Sequence, residues 1–309
     1  MRNFFSRYIK FITVLLLILV YGISIFLIQH FSSTAITQTS KIQVYEQPNI
    51  STLSNKFVII GDSGNGSVVQ YDVGKGIKDI CARLNCGAAF IVGDVIYDYG
   101  VSSVDDPQFQ EKFEKPYNSI NIPFYIAYGN HDYLGCTECY LDYSAVSSKW
   151  RMPARYYTVT FAENGKFIII DTENFDIIQQ EWLRQELAKT EGWRVVIGHR
   201  PLITYEEAHA NDNWSMKATL EEILCTEADI YVSGHAHLLE DVGQVPGCEV
   251  RQVISGGGGQ TPRKILSDNN SQFYYEGNGL ITVQAESKRI IIKFLNEKGK
   301  ILYSLEMTR

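Results

Sequence analysis

The sequence has no excess of basic residues, and this absence argues against one class of function. Lysine and arginine together number 28, against 35 aspartate and glutamate residues, which gives a formal net charge of -7. A nucleic-acid-binding protein usually presents a basic face, so we do not expect a nucleic acid as a partner. Small phosphate esters remain compatible with this charge, because bound metal ions can reverse the local field.

Internal repeats and low-complexity tracts are also missing, and charged residues make up only 20% of the chain. Hydrophobic residues reach 45%, a balance that is typical of a globular protein rather than a disordered one. The length of 309 residues is enough for one large domain or two small ones. The sequence does not indicate an oligomeric state.

Cysteines are few, and the Cys136-Thr-Glu-Cys139 element lacks the partners that a zinc site needs. Neither a second CxxC nor a nearby histidine pair accompanies it, so a disulfide within a loop is favoured over half a zinc site or a redox pair. Six cysteines allow many connectivities. Local spacing favours the pairs Cys81–Cys86 and Cys136–Cys139, which leaves Cys225 for Cys248.

The amino terminus carries an uncharged apolar run behind a basic flank. Arg2, Arg7 and Lys10 precede the run from Phe11 to Ile28, which is about long enough to span a bilayer. The basic flank should stay in the cytoplasm, which places the rest of the chain outside the membrane. Residues 33–35, Ser-Thr-Ala, also fit a signal-peptide cleavage site, so a secreted protein is the alternative to an anchored one.

These features divide the chain into three parts. Residues 1–35 are predicted to be a membrane anchor or signal segment. Residues 36–54, which are rich in Ser, Thr, Gln and Asn, are predicted to be a tether. Residues 55–309 are predicted to form one exported domain.

Short apolar strands in the third part run into side chains of the metal-binding type. The strands are predicted at Phe57–Ile60, Ala88–Val92, Pro123–Tyr128, Lys166–Ile170, Trp193–Ile197 and Ile230–Val232. The polar residues that follow them are Asp62, Asp94, Asn130 with His131, Asp171, His199, and His235 with His237. Ligands of open α/β sheets bind in the crevice outside the carboxyl ends of the strands. Four of the six histidines fall in these motifs, which favours one shared site over unrelated turns.

Helices are expected between these strands, and more strands are expected after them. Helical patterns cover Val73–Leu84, Asp176–Glu191 and Met216–Leu224. In the second helix Ile177, Ile178, Trp182, Leu183 and Leu187 have the spacing of an amphipathic helix. Val250–Ile254 and Leu280–Leu305 are rich in strand formers, with a hairpin turn at Asn296–Gly299. The mixture predicts a layered α/β domain in which the later strands form a second sheet packed on the first.

The order of the motifs resembles that of a known family. GD-x-G, GD-x-x-Y, GNH-D, V-x-GH and GH-x-H follow one another as in the purple acid phosphatases, which belong to the calcineurin-like metallophosphoesterases. The stretch GDVIYDYGVSSVDDPQFQEKFEKPY is especially similar to the tartrate-resistant branch. The resemblance covers residues 55–309 and implies a four-layer α-β-β-α sandwich of two packed mixed sheets.

The resemblance also implies a binuclear metal centre. Many metallophosphoesterases carry Asp-x-His in the first motif, but here Gly64 stands in place of that histidine. Tyr97 replaces the missing donor, and a phenolate prefers a trivalent ion. The Fe(III) site would comprise Asp62, Asp94, Tyr97 and His237, and the divalent site Asp94, Asn130, His199 and His235. The divalent ion would be Fe(II), Zn or Mn, among which nitrogen and oxygen donors do not select.

The expected charge of this centre suits a phosphate monoester. Two carboxylates and one phenolate oppose a trivalent and a divalent cation, which leaves about +2 before hydroxide binds. Two cations can clamp the attacking and leaving oxygens of an in-line displacement. Because a trivalent ion should lower the pKa of bound water strongly, hydroxide would persist in acid, and we expect an acidic optimum.

Three further residues are candidates for catalysis. In the resembled family the histidine at the position of His131 holds a phosphate oxygen or protonates the leaving group. Asp132 is a candidate to orient His131. His209 lies near the place where the family carries a second acid histidine, although one additional residue separates it from His199.

The expected function is that of an exported acid phosphatase acting on small phosphate monoesters, attached to the membrane or secreted. A phosphodiesterase or nucleotide pyrophosphatase on the same scaffold is the alternative within enzymes. A binding ectodomain that has kept the fold and lost the chemistry is the alternative outside them.

Overall fold

A computed structural model describes residues 46–47, 54–161 and 165–309. The predicted anchor or signal segment, residues 1–35, lies outside the described residues, as does most of the predicted tether. Within that tether, Glu46–Gln47 form a short strand of the domain. In the part of the chain that the structure describes, no helix is long and apolar enough to cross a membrane.

The described strands form two mixed sheets. They are β1 Glu46–Gln47, β2 Lys56–Ile60, β3 Ala88–Val92, β4 Phe124–Ala127, β5 Trp150–Arg151, β6 Tyr157–Phe161, β7 Gly165–Ile169, β8 Arg194–Ile197, β9 Ile230–Ser233, β10 Leu239–Gln244, β11 Arg251–Ser255, β12 Phe273–Tyr275, β13 Gly279–Ala285, β14 Arg289–Asn296 and β15 Ile301–Thr308. One sheet has the order β15-β14-β13-β2-β3-β4-β5 and the other β1-β6-β7-β8-β9-β11-β10-β12.

Each sheet has a parallel centre and an antiparallel margin. In the first sheet β2, β3, β4 and β5 are parallel, and β13, β14 and β15 continue it antiparallel. In the second sheet β7, β8, β9 and β11 are parallel, while β6 and β10 pair antiparallel with their neighbours. The parallel strands are almost wholly buried, which explains their continuous apolar sequences.

The sheets pack face to face through aromatic side chains. Phe167 of β7 lies with its ring centroid 5.1 Å from that of Phe57 and 4.4 Å from that of Phe90, which belong to β2 and β3 of the other sheet. Phe161 of β6 packs into the same group, 5.8 Å from Phe57. This cluster holds the sheets together, so the relative position of the loops at their ends depends on it.

Helices cover the outer faces. They are α1 Val68–Leu84, α2 Pro107–Phe109 with a π-helical continuation over Gln110–Glu114, α3 Thr137–Asp142, α4 Ile177–Lys189 and α5 Lys217–Glu227. Ile80 and Leu84 of α1 line one cavity together with Thr282 and Leu295 of the first sheet. Glu186 of α4 pairs with Lys166 of the second sheet at 2.9 Å. The predicted α/β sandwich of two mixed sheets with helical outer layers is confirmed.

The buried face of α4 differs from the predicted one. Trp182, Leu183 and Leu187 are buried, but Ile177 and Ile178 at the start of the helix are exposed. Gln179 is buried instead, because its side chain accepts a hydrogen bond from the amide of Asp171 and donates one to the Asp171 carbonyl. A polar residue therefore belongs to the packed face because it satisfies the backbone at the end of β7.

The two disulfides expected from local spacing, Cys81–Cys86 and Cys136–Cys139, are present, as is the remaining pair Cys225–Cys248. Disulfides of this kind persist in oxidising compartments, which indicates an extracellular or secreted protein.

Replacing Phe167 by alanine is expected to lower the free energy of unfolding by about 3–5 kcal/mol, because it opens a cavity between the two sheets. Urea unfolding followed by circular dichroism measures this change. Ile177→Ala is the control, since Ile177 is 73% exposed and its loss should change stability by less than about 0.5 kcal/mol. Equal losses in the two variants would contradict the packing of Phe167 between the two sheets.

Candidate metal centre

The carboxyl ends of the parallel strands in the two sheets bring the predicted donors together. The first sheet supplies Asp62, Asp94 and Asn130 after β2, β3 and β4, and the second supplies His199, His235 and His237 after β8 and β9. A ring nitrogen of His199 donates to the carbonyl of Val92 at 2.9 Å, so the strand ends of the two sheets contact each other directly.

One group of donors forms around Tyr97. Its hydroxyl donates to Oδ1 of Asp62 at 3.0 Å and lies 3.4 Å from Nε2 of His237. The same histidine nitrogen is 3.6 Å from Asp62 Oδ1. A carboxylate oxygen of Asp62, the hydroxyl oxygen of Tyr97 and a ring nitrogen of His237 thus converge on one point, although the three residues are distant in sequence.

A second group forms around His199. Its Nε2 lies 3.1 Å from Oδ1 of Asn130, 3.3 Å from Nδ1 of His235 and 3.5 Å from Oδ1 of Asp94. Asp94 also contacts the Tyr97 hydroxyl, so this carboxylate lies between the two groups. The ligand atoms of Asp62, Asp94 and His199 are all within 4.8 Å of one another.

Three of these residues hold a strained backbone. Asp62, Asp94 and His235 have φ angles of 55°, 50° and 67°, a left-handed conformation that costs a residue with a side chain about 1–2 kcal/mol. Hydrogen bonds within the site stabilise these conformations. The amide of His235 donates to Asp62 Oδ2 at 2.8 Å, and the amide of His131 donates to Asp94 Oδ1 at 2.9 Å. Such strain concentrates at functional sites.

Gly64 leaves no room for the histidine that other metallophosphoesterases carry at this position. A Cβ atom on Gly64 would lie 1.5 Å from the carbonyl oxygen of Val95. The same close approach lets the amide of Tyr97 donate to the Gly64 carbonyl at 2.8 Å. The loop that excludes a histidine therefore also fixes the residue that supplies the phenol oxygen.

Each of the three histidines has one ring nitrogen occupied by an acceptor. Nδ1 of His199 donates to the Val92 carbonyl, and His237 hydrogen-bonds the backbone of Thr261. Nε2 of His235 lies 3.2 Å from a carboxylate oxygen of Asp212. An acceptor on one nitrogen leaves the lone pair of the other nitrogen free, which is the arrangement of metal-bound imidazole.

The pKa shifts of the buried acids and of His199 indicate that a positive charge is favourable in this site. Burial raises the pKa of Asp62 well above its ordinary value, and the nearby Asp94 adds to this. Burial alone would also raise the pKa of Asp94, but the charge and hydrogen bond of His199 hold it below its usual range. Burial alone would lower the pKa of His199, but Asp94 and Asp62 raise it to about 10. The buried carboxylates thus favour a positive charge beside them.

The remaining donors fit the same requirement. Burial raises the pKa of the Tyr97 hydroxyl well above its ordinary value, and Asp62 and Asp94 raise it further, so a phenolate here needs a highly charged cation beside it. Burial and the charge of His199 lower the pKa of His235 well below its usual value. Burial and Arg263 lower that of His237 to about 3. Both histidines are therefore neutral, as metal ligands must be.

His131 lies beside this centre and is held by the backbone. Its Nδ1 donates to the carbonyl of Asp98 at 2.6 Å, and its ring centroid lies 4.4 Å from that of Tyr97. Because a carbonyl only accepts hydrogen bonds, Nδ1 carries a proton. Nε2 is then the nitrogen of His131 that can exchange a proton with a ligand.

Asp132 is fully buried and its carboxylate faces the backbone instead of the His131 ring. It accepts hydrogen bonds from the amides of Val95 and Ile96 at 3.1 Å, from that of Gly129 at 2.8 Å and from the hydroxyl of Tyr140 at 2.9 Å. The structure therefore places Asp132 as a brace between the two loops that carry Asp94 and Asn130.

The His209 segment reaches the centre from the second sheet. Nδ1 of His209 donates to Asp212 at 2.8 Å, Nε2 contacts Arg263, and the ring centroid lies 4.0 Å from that of His235. Sequence reasoning identified His209 but missed Asp212 and Arg263. The one available signal for Asp212 was its spacing of three residues from His209, which suits a turn.

Solved structures support the fold. The structure of GAP50, the anchor in the inner membrane complex of Plasmodium, matches with a TM-score of 0.72 at 21% sequence identity, covering 82% of this chain and 88% of that one. A dimetal phosphatase from Danio rerio matches with a TM-score of 0.54 at 12% identity, covering 82% and 98%.

Curated relatives confirm the resemblance to purple acid phosphatases. Purple acid phosphatase 3 of Arabidopsis thaliana is 28% identical, over 88% of this chain and 82% of its own length. Tartrate-resistant acid phosphatase type 5 of Rattus norvegicus is 27% identical, over 82% and 90%. The sequence profile of the calcineurin-like phosphoesterases matches residues 55–239, which contain all seven predicted metal donors, and the chain belongs to that family.

Proposed function

We propose that this protein is an exported acid phosphatase that hydrolyses phosphate monoesters at a binuclear Fe(III)–M(II) centre. The observation that carries the proposal is the pair of donor groups joined by Asp94, one containing a phenol oxygen and the other only amide, carboxylate and imidazole donors. The purple acid phosphatase relatives, which imply a binuclear metal centre, support it.

The two donor groups suit two different cations. We assign Asp62, Asp94, Tyr97 and His237 to Fe(III), and Asp94, Asn130, His199 and His235 to Fe(II), Zn or Mn. The raised pKa of Tyr97 supports the trivalent ion at the first position, because only a strong local positive charge makes the phenolate favourable. The second group lacks a phenol and suits a divalent ion.

The chemistry divides between the cations and the side chains around them. Two bound cations would supply Lewis acidity, charge for the phosphoryl oxygens and water of lowered pKa. His131, with Nδ1 donating to the Asp98 carbonyl, is positioned in its doubly protonated form to hold a phosphate oxygen through Nε2 or to give the Nε2 proton to the leaving alkoxide. Asp132 keeps the loops of Asp94 and Asn130 in register.

The proposed location follows from the disulfides and the amino terminus. Three disulfides support a place outside the cytoplasm. We propose that residues 1–35 anchor the protein to the membrane with residues 55–309 outside, or direct its secretion if they are cleaved. Small phosphate esters are the proposed substrates, and the net charge of -7 makes nucleic acid a poor one.

The purified protein should hydrolyse p-nitrophenyl phosphate with a larger kcat/KM than bis(p-nitrophenyl) phosphate, and best at acidic pH. A monoester dianion gains more from a centre of net charge about +2 than a diester monoanion does. Initial rates on both esters, measured from about pH 4 to about pH 9, test the ester preference and the acidic optimum. This range spans the pKa of metal-bound water. Preference for the diester would favour the phosphodiesterase, and activity confined to alkaline pH would contradict the Fe(III) assignment.

The native protein is expected to show a visible absorption band from charge transfer between the Tyr97 phenolate and Fe(III), and Tyr97→Phe should remove it. Tyr99→Phe is the matched control, since Tyr99 is two residues away and 74% exposed, and it should keep the band. Elemental analysis of both variants accompanies the spectra. A native protein that binds no transition metal would instead support a non-catalytic binding ectodomain.

His131→Ala should lower activity, whereas Asp132→Ala should lower stability and metal content. Loss of His131 should reduce kcat by about 10²–10⁴-fold while metal content and stability stay near native. Loss of Asp132 leaves three amides and a hydroxyl unpaired, and should lower the free energy of unfolding by on the order of 3 kcal/mol together with metal content. Asp132→Asn keeps one acceptor oxygen, so its free energy of unfolding and its metal content should lie between those of Asp132→Ala and the native protein. Equal stability of the two alanine variants would refute the bracing role.

A further inference from the structure

The three ligand histidines are oriented in two different ways. His199 and His237 hydrogen-bond backbone groups, of Val92 and Thr261 respectively. His235 instead meets a side chain, the carboxylate of Asp212. A backbone acceptor is fixed by the fold, whereas a side-chain acceptor can be removed by one substitution without disturbing the strands.

We propose that Asp212 is a positioning residue that fixes the proton of His235 on Nε2, so that Nδ1 faces the divalent metal, and that holds His209 beside it. This inference rests on the proposed role of His235 as a metal ligand. The GH-x-H motif does not contain this residue, and nothing in the spacing of the predicted donors required it.

A single oxygen of Asp212 serves both histidines. Oδ2 lies 2.8 Å from Nδ1 of His209 and 3.2 Å from Nε2 of His235, and the two rings are 4.0 Å apart between centroids. A carboxylate only accepts hydrogen bonds, so both of these nitrogens carry protons. The remaining nitrogen of His235, Nδ1, then presents its lone pair 3.3 Å from Nε2 of His199, where both can reach one cation.

The backbone places the carboxylate without help from the metal site. The amide of Asp212 donates to the carbonyl of His209 at 3.0 Å, which closes a turn. Lys217 donates to the Asp212 carbonyl at 3.2 Å, and Trp214 donates from its indole nitrogen to the carbonyl of Pro201 at 3.2 Å. These bonds fasten the segment on both sides of Asp212.

Arg200 provides the competing arrangement. One of its guanidinium nitrogens lies 3.4 Å from His235 Nε2. A guanidinium only donates, so a hydrogen bond from Arg200 would require a bare Nε2 and would put the proton on Nδ1, against the metal. Arg200 already pairs with both oxygens of Glu173, at 2.8 and 3.0 Å, and Asp212 is the nearer group. Asp212 therefore decides the tautomer in favour of metal binding.

The same carboxylate defines the state of His209. With its proton on Nδ1 toward Asp212, His209 presents Nε2 as an acceptor to Arg263. The segment thus links a metal ligand and the candidate second acid histidine through one oxygen atom. A change at Asp212 alters both rings at once.

The first test reads the tautomer in the full-length, metal-free protein with ¹⁵N-labelled histidine rings. The signals of His235 are identified by their absence from the His235→Gln variant. In the native chain Nε2 should carry the proton. In Asp212→Ala the proton should shift toward Nδ1, because Arg200 is then the remaining partner of Nε2. A native His235 protonated on Nδ1, or a tautomer that Asp212→Ala leaves unchanged, would overturn the proposal.

The second test measures metal affinity by Zn²⁺ titration of protein that retains its iron. Asp212→Ala should weaken Zn²⁺ binding about 10–100-fold, with Asp212→Asn between it and the native protein, while the visible band is kept. Glu207→Ala, which removes the same charge from an exposed position in the same segment, should leave affinity unchanged, and an equal loss there would refute positioning. If the native protein binds no metal, the proposed function fails, and the tautomer test still decides the role of Asp212.

Discussion

The structure depends on burying two carboxylates and a phenol oxygen next to each other at the point where two sheets meet. Asp62 is fully buried, Asp94 is 1% exposed and Tyr97 is 3% exposed, so water cannot screen the repulsion among them. Burial raises the pKa of Asp62 and of Tyr97, and the neighbouring acids raise both further, while Asp94 raises the pKa of His199 against the effect of burial. A bound metal centre would supply the positive charge that the His199 ring provides only in part.

This requirement explains features that look unfavourable by themselves. Asp62, Asp94 and His235 accept left-handed backbone, and Asp132 is a buried acid that contacts mainly amides. Each of these would lower stability in an ordinary loop. Here they bring donor atoms of opposite sheets within hydrogen-bonding distance, and the inter-sheet aromatic cluster of Phe57, Phe90 and Phe167 supplies the rigidity that keeps them there.

The acids around the centre act at two levels. Asp62 and Asp94 face the cleft, whereas Asp132 and Asp212 face groups that carry or adjoin the donors. Asp132 acts on loop backbone and Asp212 on a ring proton. Arg200 is neutralised by Glu173, which limits its competition for His235. Asp132 and Asp212 would therefore support the centre without touching a substrate.

The strands were predictable because each is a short, continuous apolar run, and β2, β3 and β8 lie within a residue or so of the predicted positions. Two disulfides were predictable because their partners are close in sequence, and the third because it joins the two cysteines that remain. By contrast β6 and β10 were not predicted, since Thr158 in β6 and Glu240 and Asp241 in β10 interrupt their apolar runs. Glu240 and Asp241 are stabilised by Thr204 and Arg251, which lie elsewhere in the chain. The three-residue strand β12 was not predicted either. Ile177 and Ile178 followed the helical period but are exposed, because periodicity does not say which side of a helix the sheet will cover.

The sequence by itself determined the types of the predicted donors and their order. Each motif that carries them begins with a glycine just after a predicted strand, and this repetition favours one shared site. Only the tertiary structure decided how those donors are held: that Asp132 braces backbone instead of His131, that His131 leans on the Asp98 carbonyl, and that Asp212 reaches His235. These contacts join residues from separate loops. They depend on how the two sheets pack against each other, and the local sequence around each residue does not indicate which residues of other loops will lie nearby.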